Sequence, residues 1–422
     1  MKKSIPLLIK EYAYFAVAAI LLFTLLSPSG MWDMVFPGFI YFDYLVFAVI
    51  ASLFMIVCAA DLAIEKQSFF KPFRENIWLI CYLAALIIAV AASVNPRLSC
   101  EFLPRYLSGL LMVYIIRSSE LTYEKIRRIF GFLALGLAVA ASYAILQRIW
   151  GIEPSKSFTD LAANPNMPGR VDSFFGNPSV FGFALSALLP VSAAYVFCEK
   201  SRLRAALGST AFILGVTALI MTYSRGPWFA SFVGIFVFAA LSKPKLIPVL
   251  LLLGLAAFPF IPITVKNRIL SAFNPNETSI GYRGLLVGSG LKAIADNPIF
   301  GVGPGTGVVQ AFVLSNYWPP ELAYRFTHSH NLFVQTWCEL GIFGFVTFFG
   351  AVLHNIINAV RNFRKQSIAS RVLSASLISG MTAMLLCGIA DYTFSYSRIM
   401  LLFWILFGLL QSAAKLDTEQ RS

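Results

Sequence analysis

The chain has 422 residues, 58% hydrophobic and 13% charged, with a formal net charge of +13. Soluble domains run at about 45–50% apolar and about 25% charged, so a soluble enzyme is excluded, as is a disordered or disulfide-stapled secreted protein. Long apolar stretches recurring from end to end define an all-α polytopic membrane protein, and the positive excess reads as loop charge that sets topology.

A spanning helix needs about 20 mainly apolar residues at a rise of about 1.5 Å each. That ruler predicts helices near 11–27, 37–64, 76–94, 104–117, 129–149 and 177–198 in the first half, and near 204–223, 226–242, 246–265, 331–360, 371–392 and 398–414 in the second. The total is about 12 transmembrane helices, with 104–117 short and 226–242 marginal. The exit from the first run, Ser27-Pro28-Ser29-Gly30, lacks a small-x-small cleavage pattern, so that run is expected to be a helix rather than a signal peptide.

Basic residues concentrate in alternate short connections: Lys2, Lys3 and Lys10; Lys66, Lys71 and Arg74; Arg117, Lys125, Arg127 and Arg128; Lys200, Arg202 and Arg204; Lys243 and Lys245; Arg361, Arg364, Lys365 and Arg371; and Lys415 with Arg421. Loops rich in Lys and Arg face the cytoplasm, so both termini are expected there. Two long loops, about 150–176 and 266–330, are then extracytoplasmic, the second lying between helices 9 and 10. Loops of that length in a compact protein are usually functional or disordered. The second has Leu285, Leu286, Leu291 and Ile294 at helical spacing, then a turn segment from Asn297 through Gly305. The two halves show no internal repeat of the kind that marks many transporters. The expected organisation is one polytopic domain over 1–422, with 266–330 as an extracytoplasmic insert.

Cys58, Cys81, Cys100, Cys198, Cys338 and Cys387 have no metal-ligand spacing. The histidines are His328, His330 and His354. His354 sits near the end of its helix. His328 and His330 lie where the long loop meets a membrane helix, and three readings attach to them: a general base at the membrane surface, a hydrogen-bonded interfacial pair, or a metal site. The base is preferred, because imidazole ordinarily titrates near pH 6.5. A metal is disfavoured, because no carboxylate or cysteine follows at the usual spacing.

Arg225 occupies a hairpin of almost no length, Thr222-Tyr223-Ser224-Arg225-Gly226-Pro227, where a charge is costly unless paired or hydrated. Arg170 and Arg283 lie in the long loops, and Arg398 begins the last helix. Singly each could be a headgroup contact; together, beside two histidines, they suggest an anion site, since guanidinium matches phosphate with paired hydrogen bonds. The Gly-rich run 301–307 carries no Gly-Lys-Ser/Thr and follows no strand, so it reads as a turn that brings the backbone close to something, not as a nucleotide loop. Glu339, two turns into its helix, is a candidate partner for an arginine, and Asp391 is similarly placed.

His328-Ser329-His330-Asn331-Leu332 followed by Glu339-Leu340-Gly341-Ile342-Phe343-Gly344 resembles the HN-x-x-L…ELG-x-x-G signature of the O-antigen ligase and O-antigen polymerase superfamily of bacterial membrane glycosyltransferases. The 297–305 turn resembles the segment preceding that signature, and Ser224-Arg225-Gly226 resembles its upstream arginine motif, so the resemblance covers roughly 205–350. Arg170 through Ser179 matches the family's glycine-aromatic-Asn-Pro-Asn pattern only loosely, and no aromatic follows shortly after Arg283.

The resemblance implies transfer of a glycan from a polyprenyl-diphosphate donor, of undecaprenyl-diphosphate type, to an acceptor hydroxyl on the outer side of the bacterial cytoplasmic membrane. The acceptor would be a lipid-A core sugar for a ligase, or a second lipid-linked glycan for a surface-polysaccharide polymerase. Carried over by position, His330 would be the base, and Arg225 and Arg283 would hold the diphosphate, with His328, Asn331, Glu339 and Arg170 in support. No metal, nucleotide or other cofactor is expected, and nucleic acid is not a partner. The rival expectation is a secondary transporter for a small anion or solute.

Overall fold

The computed structural model describes residues 4–28, 39–65, 76–153, 158, 167–271, 278–322 and 325–417. Of the expected topogenic charges, Lys2, Lys3, Lys66, Lys71, Arg74 and Arg421 lie outside the described residues, as do 154–157 and 159–166 of the 150–176 loop. Among the described residues the protein is all-helical. The helices are α1 (Ile5–Leu26), α2 (Phe39–Glu65), α3 (Ile77–Ala91), α4 (Pro96–Ser118), α5 (Tyr123–Trp150), α6 (Pro178–Cys198), α7 (Arg202–Met221), α8 (Arg225–Ser242), α9 (Leu246–Ala257), α10 (Ile263–Leu270), α11 (Thr278–Asp296), α12 (Thr306–Asn316), α13 (Leu332–Asn362), α14 (Ile368–Ala390) and α15 (Ser397–Ala413).

Among the described residues, every stretch expected to be a membrane helix forms helix, with 246–265 interrupted. By length and apolar composition eight of them can cross a bilayer, or nine if the bent pair formed by α9 and α10 counts as one span. The difference from twelve has local causes. Apolar α3 and α15 fall in the shorter class, at Ile77–Ala91 and Ser397–Ala413. Helix α4 starts earlier than the apolar pattern indicates, because Pro96 stands in its first turn and the Asn95 side chain accepts the Leu98 N–H. Both are helix-start devices. The added turns carry Arg97 and Glu101, so hydropathy passes over them. The expected 246–265 span is corrected: the chain breaks at the 3-10 turn Phe258–Phe260 and resumes as α10 at 109°. Pro259 and Pro262 supply the reason, since proline gives up an N–H and disfavours helix in the residue before it.

The centre of the bundle is α6 and α14, most of whose lengths are buried. They meet on small residues: a Cβ on Gly380 of α14 would stand 2.5 Å from the Ala187 carbonyl oxygen of α6. Helix α6 approaches α8 as closely, since a Cβ on Gly182 would stand 2.7 Å from Pro227 Cγ. Lipid tails offer helices no hydrophobic gain from leaving them, so close approach of small residues is what holds such pairs. Around this centre, α7, α8 and α9 expose apolar side chains such as Ile213, Phe229 and Leu252, as lipid-facing helices do.

At one end of the bundle Lys10 bridges Asp61 (3.1 Å) and Glu120 (3.0 Å), and Arg127 pairs with Glu199. The other end carries the long segment after α10. It is packed rather than loose: Leu286 and Ala293 of α11, Val308, Val309 and Val313 of α12, Trp318, Phe326 and Cys338 form a second apolar core against α13.

Candidate active site at one end of the helical bundle

Four segments converge at this end. The first is the tight turn between α7 and α8. Tyr223 there takes a left-handed φ of 51°, and Arg225 opens α8. Carbonyls exposed by the turn collect arginines from both long loops. Arg170 donates from Nε to Thr222 O at 2.7 Å, and from Nη2 to Ser224 Oγ at 2.7 Å; Arg268 of α10 donates from Nε to Tyr223 O at 3.2 Å. Arg225 Nη1 reaches Ser271 Oγ at 2.9 Å. Burial pushes the Arg170 guanidinium down to about 9, and the like charges of Arg268, Arg283 and Arg225 push the same way. It remains protonated at neutral pH, in a positive cluster that an anion would relieve. The charges of Arg225, Arg283 and Arg268 thus all act on Arg170. Arg268 is an addition: it falls in a stretch the apolar pattern assigned to the loop just after a span, and only the break at Pro262 turns it inward.

The second segment is the loop 325–331 leading into α13. Asn331 caps that helix, its Oδ1 accepting the Phe333 and Val334 N–H groups at 2.9 and 3.0 Å. Its Nδ2 donates to Ile389 O at 2.9 Å, which ties the start of α13 to the end of α14. Its support is therefore architectural. His330 sits just before the cap with φ 48°, a conformation that costs an ordinary residue roughly 1–2 kcal/mol and is commonly retained at functional sites.

The third segment supplies a partner that sequence spacing hides. Asp391, the C-cap of α14, places Oδ1 2.9 Å from His330 Nδ1. The approach is oblique to a straight hydrogen bond, so it is best described as an electrostatic pair. Burial raises the Asp391 carboxyl, but His330, His328 and Arg283 outweigh it and hold the group well below the ordinary carboxylate range. His328 packs its ring 4.2 Å from that of His330, and its Nδ1 accepts the His330 N–H at 3.2 Å. Burial first, and then the neighbouring His330, pull the His328 imidazole down to about 4. It is neutral at pH 7, as an accepting Nδ1 requires.

The fourth segment is Asn297 through Gly305. Helix α13 is broken at Gly341 (φ 63°), which frees carbonyls of the preceding turn. The turn fills that break: Val302 N donates to Cys338 O (2.7 Å), Gly303 N to Glu339 O (3.2 Å), and Ile342 N to Pro298 O (3.0 Å). The close approach inferred from the glycines is thus to the kink of α13.

Glu339 requires a correction. It is buried, but no arginine pairs with it. Its Oε2 accepts the hydroxyls of Tyr106 and Tyr392 (the latter at 3.2 Å), and its Oε1 accepts Gln335 Nε2 at 2.9 Å. Arg105, whose charge acts on it, pairs with Asp43 at 2.7 Å. Arg398 also lies apart from the arginine cluster. It binds Ser27 O and Phe174 O and lies over the Phe175 ring, a clasp between α15 and its neighbours. His354 meets Asn358 at 2.7 Å within α13.

His328, His330 and Asp391 could offer ligand atoms within 4.8 Å of one another. His328 Nδ1 already accepts a backbone N–H, His330 Nδ1 faces Asp391, and Arg283 adds positive field. The set suits a proton acceptor with its orienting carboxylate better than a divalent cation.

A polytopic helical membrane protein with a histidine–carboxylate pair beside a cluster of arginines is the class that fold and geometry define. Residues 210–349 match the family model described as O-Antigen ligase. That segment, which holds Arg225, Arg268, Arg283, His328, His330 and Glu339, is similar to the O-antigen ligase family, and the match supports the resemblance to the ligase and polymerase superfamily. No curated protein matches the chain.

Proposed function

We propose that this protein transfers a glycan from a polyprenyl-diphosphate donor to an acceptor hydroxyl, at the extracytoplasmic face of the bacterial cytoplasmic membrane, as a ligase or a surface-polysaccharide polymerase. The observation that carries the reading is the place of Arg283. Its charge acts on Asp391 of the histidine pair and on Arg170 of the arginine cluster, and a Cβ on Gly226, beside Arg225, would stand 3.6 Å from the Cβ of Ala390, beside Asp391; both support a single site for base and anion.

The chemistry needs little more. His330 takes the proton of the acceptor hydroxyl as its oxygen forms a bond to the anomeric carbon. The bond from that carbon to the diphosphate oxygen breaks, and the electron pair leaves with the lipid diphosphate. Arg225, Arg283, Arg268 and Arg170 meet the charge that develops there, which is where fixed cations contribute most. Asp391 orients the imidazole and stabilises its protonated form. A diphosphate is already a competent leaving group, so the protein chiefly aligns the partners. The basic end at Lys10, Arg127 and Arg128 would face the cytoplasm, which puts the site on the other side.

The test is transfer by the purified chain in detergent, with EDTA and no nucleotide, from a polyprenyl-diphosphate oligosaccharide to either a lipid-A core or a second lipid-linked glycan. Product with the core identifies a ligase, and chain elongation a polymerase. Loss of product in His330→Ala with donor binding retained is the expected result. Uptake of a small anion or solute into vesicles, with no transfer to either acceptor, would replace this reading with a transporter.

A further inference from the structure

We propose that Glu339 is a positioning residue, a buried carboxylate that fixes the spacing between His330 and Asp391 by holding the segment that carries each. The inference rests on the glycosyl-transfer reading above and assigns a task to a group that reading leaves idle.

The two oxygens of Glu339 serve two different segments. Oε1 accepts Gln335 Nε2 at 2.9 Å, and Gln335 Oε1 in turn accepts the Ser329 N–H at 2.9 Å. Ser329 is the residue between the two histidines, so this branch ends on the histidine loop. Oε2 accepts the Tyr392 hydroxyl at 3.2 Å, and the Tyr392 N–H donates to Asp391 Oδ1 at 2.8 Å. That is the oxygen facing His330 Nδ1 at 2.9 Å. One carboxylate therefore lies two links from each half of the pair. The Tyr106 hydroxyl, from α4, braces it from a third direction.

The network is closed. Glu339, Gln335, Ser329 and Tyr392 are each at most 3% exposed, so water does not substitute readily for a lost member. The three side-chain donors that reach the carboxylate suit its ionised, acceptor-only form. Buried networks with every member satisfied rigidify what they connect, and a spacing error of about 1 Å in a catalytic pair can cost about 10²-fold.

Tyr392→Phe removes one branch while keeping the ring, Gln335→Leu removes the other, and Glu339→Gln replaces an acceptor by an amide donor. Each is compared with wild type for kcat per folded molecule, KM for the polyprenyl-diphosphate oligosaccharide, and donor binding measured without acceptor. The expected result is a fall in kcat of about tenfold in Tyr392→Phe and in Gln335→Leu, with donor binding and KM little changed, because the hydrogen bonds of Glu339 run to Gln335, Tyr392 and Tyr106 and not to the arginines. The Tyr392→Phe, Gln335→Leu double variant should fall by less than the product of the two. In a His330→Ala background, Tyr392→Phe should change residual transfer no further. Wild-type kcat in both single variants overturns the inference, as does a loss that is only a smaller folded fraction or a weaker donor. Failure of wild type to transfer glycan at all would instead count against the transferase reading.

Discussion

The backbone of Gly341 fills the side-chain space of Gly301, and the backbone just before Gly301 fills that of Gly341. Gly301 has φ 75° and Gly341 φ 63°; a Cβ on the first would stand 2.5 Å from Gly341 N, and one on the second 2.1 Å from Ile299 O. Both conformations favour glycine, and the contact leaves no volume for anything larger. The turn and the broken helix therefore form one unit, and that unit sets the position of Glu339 and of the loop bearing His330.

Gly341→Ala should consequently be among the most damaging small substitutions in the protein. The left-handed backbone alone costs roughly 1–2 kcal/mol, and the clash with Ile299 O must be relieved by withdrawing the turn. A Cβ on Gly254 of α9 meets nothing within 4 Å, which makes Gly254→Ala the control. Thermal unfolding in detergent should show a clear loss for Gly341→Ala and none for Gly254→Ala. Equal behaviour of the two would mean the turn and kink are not mechanically joined.

Much of this was legible in the sequence, for physical reasons. Apolar length finds helices, so the stretch of every membrane helix was identifiable. Positive φ demands glycine, so the turn at 301–305 announced a close approach without naming its target. Arg225, Arg283 and His330 were legible because charge and imidazole beside apolar spans need a reason. Asp391 was singled out as a buried acid, but its pairing with His330 and the part of Tyr392 were not legible, because both residues reach the site from the far end of another helix, and a pair made across the bundle leaves no spacing to read. Arg268 was hidden by prolines that turn a nominal span through 109°. The Glu339 expectation failed on polarity: in a buried setting three hydroxyl and amide donors can serve a carboxylate as well as one arginine.

The arginine cluster predicts a graded loss of donor affinity. Arg225→Ala and Arg268→Ala should each weaken binding of the polyprenyl-diphosphate oligosaccharide about 10- to 100-fold, the range for charge-assisted hydrogen bonds worth about 1.5–3 kcal/mol. Lysine at either position should restore part of the loss, since it returns the charge but not the planar fork. The measurement is donor binding in the absence of acceptor. If Arg268→Ala binds donor as wild type does, α10 is only a brace for the Tyr223 carbonyl.

The His330–Asp391 pair predicts a different pattern. His330→Ala removes the proton acceptor and should lower transfer about 10²–10⁴-fold, with the donor still bound. Asp391→Asn keeps the shape but removes the charge that orients the imidazole, and should reduce kcat more than it changes KM. Single-turnover transfer with saturating donor separates these effects from binding. An Asp391→Asn enzyme as fast as wild type would show that the 2.9 Å approach has no part in the reaction.

His328 predicts how the site responds to acid. Its imidazole is pulled down from 6.5 to about 4, chiefly by burial. Between those values the unfolded chain binds a proton at this position and the folded chain does not, so stability falls as pH drops from about 6.5 to about 4 and is unaffected by this group above that window. Protonation would also cancel the acceptor at Nδ1 that receives the His330 N–H at 3.2 Å, releasing the strained residue next to the helix cap. His328→Asn keeps an acceptor without the titration. Thermal unfolding across pH 4–7 should therefore be less steep in His328→Asn than in wild type, with the two curves parallel above pH 7. Identical slopes in the acid window would mean that His328 is hydrated and free to protonate in the folded protein.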